Sequence, residues 1–277
     1  MGSKVRFSKA GLVLALGCTI LLFTTTGCIS AASRTCCAHT AQQALLAADA
    51  ALSSYDALRT VASDSLYNQG YMRVVVSPEP DAVDFTNVAD ADMSTLLDLR
   101  SSTCRQVKLA AEQLQLACGA QSKTEAVQSY AAIVEALRGF AKDPAANAEF
   151  KKMAAALPEG VTATWQSRRM EQTRSALAAA TIELATLWKK ERATWEEYID
   201  DAYISGYASG ILSLRLDSFD EKELAKIVKD PYDLPVKAGL YKMTKYFDAL
   251  QSAGKVKAKL RTTTEVFDTL HLAPICK

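Results

Sequence analysis

Residues 93–119 read MSTLLDLRSSTCRQVKLAAEQLQLACG, and their spacing decides the fold class. Met93, Leu97, Cys104, Val107, Ala111, Leu114 and Cys118 recur at intervals of three, four and seven. Such intervals gather side chains on one face of an α-helix. Gly119 supplies a natural stop, so the pattern predicts one amphipathic helix over 93–118 with both cysteines on its buried stripe. Asp92 stands where a cap belongs.

A stripe of this kind needs a partner, and the chain offers one upstream. Within residues 32–69, Ala41, Leu45, Ala48, Leu52, Tyr55, Ala62 and Leu66 follow helical spacing, interrupted only by Arg59. The two helices are expected to pack antiparallel. Between them the pattern fails: YMRVVVSPEP at 71–80 predicts an extended connection with at most one isolated strand. Asp81, Asp84, Asp90 and Asp92 cluster nearby, but the Gly-centred calcium loop with its terminal Glu is missing.

Downstream, Ser122 and Glu125 form a capping box, and a third helix is expected to run to Ala141. Asp143-Pro144 breaks the chain, a short helix is predicted over 145–156, and Pro158-Glu159-Gly160 breaks it again. From Thr162 to Leu216 there is no proline, and Leu177, Leu184, Trp188, Trp195, Ile199 and Ala202 mark the seam of the longest helix, or of two nearly collinear ones. Gly206 and Gly210 are the expected kink. They lie in AYISGYASGILSL, an uncharged run at 202–214 too short to span a membrane, so close packing of two helices is the reading adopted. The remainder predicts helices over 219–229, from the Pro231–Pro235 turn to Ser252, and over 263–271, with Tyr241, Tyr246 and Phe247 in the core.

With only 12 Gly and 7 Pro in 277 residues, and 49% hydrophobic against 23% charged side chains, the expectation is an all-α, elongated multi-helix bundle with long antiparallel helices. Residues 28–277 form its helical domain, with candidate subdivision points near 143–160 and 217–235. No fixed-period repeat points to a solenoid.

The first thirty residues, MGSKVRFSKAGLVLALGCTILLFTTTGCIS, obey a different logic. Lys4, Arg6 and Lys9 precede an uncharged apolar run from Ala10 to Phe23, then small polar residues, the order of an export signal. Thr25-Thr26-Gly27-Cys28 resembles the lipobox of bacterial lipoproteins, with Thr25 where that family usually has Leu. The resemblance covers the leader alone. It implies that residues 1–27 are a signal peptide cut before Cys28, whose thiol and new amine carry acyl chains. Several chains would make membrane attachment stable. Ile29, in place of the Asp linked in that family with inner-membrane retention, implies the outer membrane, facing the periplasm or the surface. Two alternatives stay open, secretion after cleavage at Ser30-Ala31-Ala32, which would release a protein from Ser33, and an uncleaved anchor; Cys18, after Leu16-Gly17, is lipobox-like but would leave a very short apolar core upstream.

Without residues 1–27 the net charge moves from +1 to −2, which argues against a nucleic-acid partner. Lys189-Lys190 and KVKAK at 255–259 read as solvated helix faces. Of seven cysteines, Cys18 leaves with the leader and Cys28 is the lipidation site, so an odd five remain in a compartment where disulfides persist. Cys104 and Cys118 are fourteen residues apart on one helix, roughly 21 Å at 1.5 Å per residue, and cannot bond to each other. An antiparallel pair brings Cys118 to Cys36 and Cys37, so Cys118 with one of these is the preferred bridge. Cys276 is a partner for the other, and Cys104 remains a buried thiol. CCAH at 36–39 lacks zinc-site spacing.

His39 and His271 are the only histidines, and neither lies in a catalytic motif. Glu196-Glu197 and Asp200-Asp201 read as surface charge. No catalytic residue, metal ligand or cofactor is assigned. The chemistry points to a non-enzymatic, lipid-anchored cell-envelope protein with a structural or partner-binding role, meeting the membrane through its anchor and an envelope protein through helix packing. A periplasmic ligand-binding bundle comes second and an enzyme using acidic side chains third.

Overall fold

The computed structural model describes residues 31–76, 88–120, 123–158, 167–208, 211 and 234–270. The elements are α1 (Ala31–Val76), α2 (Val88–Gly119), α3 (Lys123–Ala141), α4 (Ala148–Ala156), α5 (Ser167–Asp200), a π-helical segment (Asp201–Ala208) and α6 (Leu234–Asp268). Among the described residues there is no strand, and the chain is an all-α multi-helix bundle. No described helix is long and apolar enough to cross a membrane.

Helix α1 is the axis of the bundle, packing on α2, α5, the π segment and α6, while α3 and α4 complete the side formed by α2 and α5. Two ion pairs fix the α1–α2 register: Lys108 Nζ to Asp49 Oδ1 at 2.7 Å and Arg59 Nη2 to Asp98 Oδ1 at 2.6 Å. Ten residues forward on α1 correspond to ten residues back on α2, so the pair is antiparallel, as its stripes predict.

On α2 the sequence stripe is the buried one: Leu97, Cys104, Val107, Ala111, Leu114 and Cys118 are all buried and Met93 packs on their margin. On α1 the buried face is wider and rotated. Ala44, Ala47, Ala51, Leu58 and Val61 are buried with Ala41, Ala48 and Tyr55, whereas Leu45 and Leu52 lie at its edges. A helix with neighbours on several sides has no single seam, and its alanines let them approach closely. Tyr55 meets Trp188 and Trp195 edge-on at 5.5 and 5.9 Å, contacts worth about 0.5–1.5 kcal/mol each beyond burial.

The longest described helix is α1, with 46 residues, and not the one expected over 162–216, where α5 has 34; three boundaries also differ from the sequence expectation. Val74–Val76 continue α1 and form no extended run. Three valines cost a helix only a few tenths of a kcal/mol each; the firm obstacle is Pro78, which disfavours helical Ser77. Helix α2 begins at Val88, so Asp92 lies inside it and is not its cap. The expected break between Ser252 and residue 263 is absent, and α6 is one helix of 35 residues. Thr262 and Thr264 donate to the carbonyls of Ala258 and Leu260 four residues back. Thr263 donates to Ala50 O of α1 at 2.8 Å, so the threonine run is absorbed into helix and interface.

Asn147 caps α4, its side chain accepting from Phe150 N at 2.8 Å, a motif worth about 1 kcal/mol. Helix α5 gives way at Asp201 to the π segment, which contains Gly206; Gly210 lies outside the described residues. Also outside are the leader with Cys18 and Cys28, the aspartates at 81 and 84, Ser122, the predicted helix at 219–229, His271 and Cys276.

Candidate functional site

The described cysteines fall into three settings, and Cys36 is disulfide-bonded. Cys104 is buried in the centre, and burial pushes its thiol pKa far up. Cys37 and Cys118, on α1 and α2, are both buried free thiols close enough to perturb each other, the neighbour holding Cys37 below and Cys118 above the ordinary thiol range. The start of α1 meets the end of α2 as expected, with Cys37 the residue of the pair 36–37 beside Cys118, but the expected Cys118 bridge is not formed, because both of these thiols are free.

Charged residues in the interior are committed to one another. Arg100 of α2 reaches Asp143 Oδ2 through Nη1 at 2.6 Å, and Glu191 through Nε at 2.8 and 2.9 Å and Nη2 at 2.5 Å. Thr103 adds a 2.7 Å bond to Asp143, whose second oxygen accepts from Ala145 N. This cluster fastens α2, the 142–147 turn and α5, and its donors and acceptors are already used. On the surface, Asp200 pairs with Lys257 and Glu196 with Arg192.

A groove of about 460 Å³ runs between α1 and α6, lined among others by Asp56, Asp64, Tyr203, Lys255 and Lys259. Tyr203 donates to Asp64 at 2.6 Å, Lys259 to Ser53 at 3.0 Å, and Asp56 is paired with Arg59 at 3.1 Å. Its polar side chains thus mostly satisfy one another and leave few to orient a ligand.

Helix α6 presents the least explained surface. Ala249, Ala253, Val256, Leu260 and Phe267 face the core. At about 100° per residue, Leu240, Met243, Phe247, Gly254 and Ala258 lie on the opposite side, with half-buried Leu250 at its flank. Counting Leu250, the positions from Leu240 to Gly254 alternate by three and four, the spacing of a helix–helix seam. Leu240, Met243 and Phe247 are 62%, 46% and 57% exposed, so this seam has no partner within the described chain. Thr244 and Gln251 are the polar residues on the strip, and the first charge on it is Arg261. Phe247 is therefore not the core residue its spacing predicts; Tyr246, beside it at 6.0 Å, packs on the core margin instead.

Gly254 sharpens the picture. A Cβ placed there would meet nothing within 4 Å, so no internal packing requires a glycine. A mid-helix glycine costs about 0.5–1 kcal/mol relative to alanine, and here it leaves the seam open to a close neighbour. Leu240, Met243, Leu250 and Gly254 were not singled out in the sequence; their three–four spacing was the available signal, hidden by a second apolar pattern on the core face. Among the described residues no group of His, Cys, Asp and Glu is arranged to hold a metal. Comparison with protein-family models, with curated proteins and with solved structures returns no match to this chain.

Proposed function

We propose that the chain is a non-enzymatic cell-envelope protein, anchored by acyl chains on Cys28 at the outer membrane, that binds an envelope partner through an apolar helix laid along the outward seam of α6. The observation that carries this reading is the charge-free strip from Leu240 to Ala258, with three large apolar side chains exposed on it and an unpacked glycine one turn before its end. Single exposed apolar residues are ordinary on soluble proteins, whereas a periodic set on one helix face marks an interaction surface. The partner is a protein helix because a three–four seam accepts one by knob-and-hole packing.

The test uses the full chain in a Gram-negative host, with a photo-crosslinking amino acid at Met243 or, as control, at exposed Glu112 of α2. A discrete crosslinked protein at Met243 only, lost when Phe247→Asp is added, supports the reading. Equal labelling at both positions, or a band at twice the chain mass, overturns it. Intact mass measurement tests the anchor separately: a diacylglyceryl-modified chain beginning at Cys28 supports it, and an unmodified chain beginning at Ser33 removes it. Ligand binding is the second reading, supported by the groove between α1 and α6.

A further inference from the structure

We infer that the partner helix is acidic along one edge, carrying two carboxylates four residues apart that pair with Lys255 and Lys259 of α6. The inference rests on the α6 seam proposed above and names the chemistry of what fills it.

Charge is divided unevenly in this chain. Helix α6 holds seven basic against three acidic side chains, whereas the rest of residues 28–277 holds 22 basic against 28 acidic. A helix with that excess either pairs it within its own chain or presents it outward. Lys257 is paired, 2.7 Å from Asp200, and Arg261 lies 3.7 Å from Glu265 of the same helix. Lys245 stands 5.6 Å from the centre of the Tyr241 ring. Lys255 and Lys259 differ. Both are exposed, and their spacing of four puts them on successive turns of one side, where like charges repel. Among the described residues Lys255 has no polar partner, and Lys259 meets only the Ser53 hydroxyl at 3.0 Å. Both line the groove between α1 and α6. The carboxylates of that groove are held elsewhere: Asp56 by Arg59 at 3.1 Å, and Asp64 as acceptor of the Tyr203 hydroxyl at 2.6 Å.

The two cations also stand at the right edge of the seam. At about 100° per residue, Lys255 projects about 80° from Phe247, beside the apolar strip, and Lys259 about 40° further round on the same side. Lys257 projects about 80° to the other side, where Asp200 already neutralises it. Gly254 and Ala258, the two small residues of the strip, each immediately precede one of the unpaired lysines. A Cβ at Gly254 would meet nothing within 4 Å, so the approach there is open. The partner backbone therefore comes closest to α6 at the level of Lys255 and Lys259, and its side chains find free cations on one edge only. Carboxylates on successive turns of the partner match the roughly 6 Å rise between the lysines. Opposite charges flanking an apolar seam set partner choice and orientation. A lipid surface fits the same strip less well: Glu265, about five turns on from Phe247, projects along the same line and is 66% exposed, so a bilayer lying on α6 would meet an acid.

The experiment adds charge reversal to the full chain carrying the photo-crosslinking residue at Met243. The double variant Lys255→Glu/Lys259→Glu is expected to lower the discrete crosslinked band about tenfold, and Lys255→Arg to retain it. Lys152→Glu, at an exposed position of α4, is the control that leaves the band unchanged. Circular dichroism of each variant checks that it folds. Mass spectrometry of the crosslinked peptide is expected to find Asp or Glu at two positions four residues apart. A band unaffected by the reversal, or a captured segment without that pair, overturns the acidic edge and leaves the seam standing. Absence of a discrete band at Met243, or phospholipid in place of protein on the photoreactive residue, overturns the seam and this inference with it.

Discussion

Helices α1 and α6 are the two longest of those described, at 46 and 35 residues, and they solve the same problem differently. Helix α1 is rich in alanine, yet among its described side chains the apolar ones are covered by neighbours on several sides, and the exposed large apolar ones, Leu46 and Tyr67, stand singly. Helix α6 covers one face against α1 and α5 and leaves a second apolar face outward along its N-terminal half. Apolar content alone therefore does not separate a buried helix from a docking helix. What separates them is whether the periodic positions are matched by neighbours from the same chain.

Substitutions that treat the two helices differently test this contrast. The largest effect is expected where the interior is charged. Arg100→Ala leaves Asp143 and Glu191 without their shared cation, and breaking a buried pair by removing one partner costs about 3–5 kcal/mol. Urea unfolding should show that loss in the midpoint; a change below about 1 kcal/mol would mean that the cluster does not fasten α2 to α5.

Next in size is Ala51→Leu on the buried face of α1, where the added methylenes have no room. A destabilisation of about 1–3 kcal/mol is expected. The same enlargement on the open side of α6, Gly254→Ala, should instead stabilise the isolated chain by about 0.5–1 kcal/mol, because alanine is the better helix former and meets nothing. If Gly254→Ala destabilises, the face is covered by this chain and the contrast between the helices disappears. Phe247→Ser should change thermal stability least, within about 0.5 kcal/mol, while removing the Met243 crosslink described above.

The sequence by itself determined the helical class, the α2 stripe residue by residue, the end of α3 at Ala141, the breaks near Pro144 and Pro158, and the buried seam Leu177–Leu184–Trp188–Trp195–Ile199. These are local: periodicity, prolines and glycine stops act within a few residues. It also pointed Cys118 toward the start of α1, because helices adjacent in sequence commonly pack as antiparallel neighbours. The tertiary structure decided the rest. Alanine carries little periodic signal, so only the arrangement of several neighbours could choose which side of α1 is buried. Cys37 over Cys36 depended on helix rotation, and Arg174, the cation beside Cys37, lies more than 130 residues away along the chain. Two apolar faces on α6 were both written in the sequence, but which of them met α1 and which was left outward depended on packing between distant segments, where Thr263 bonds to Ala50 O and Ser54.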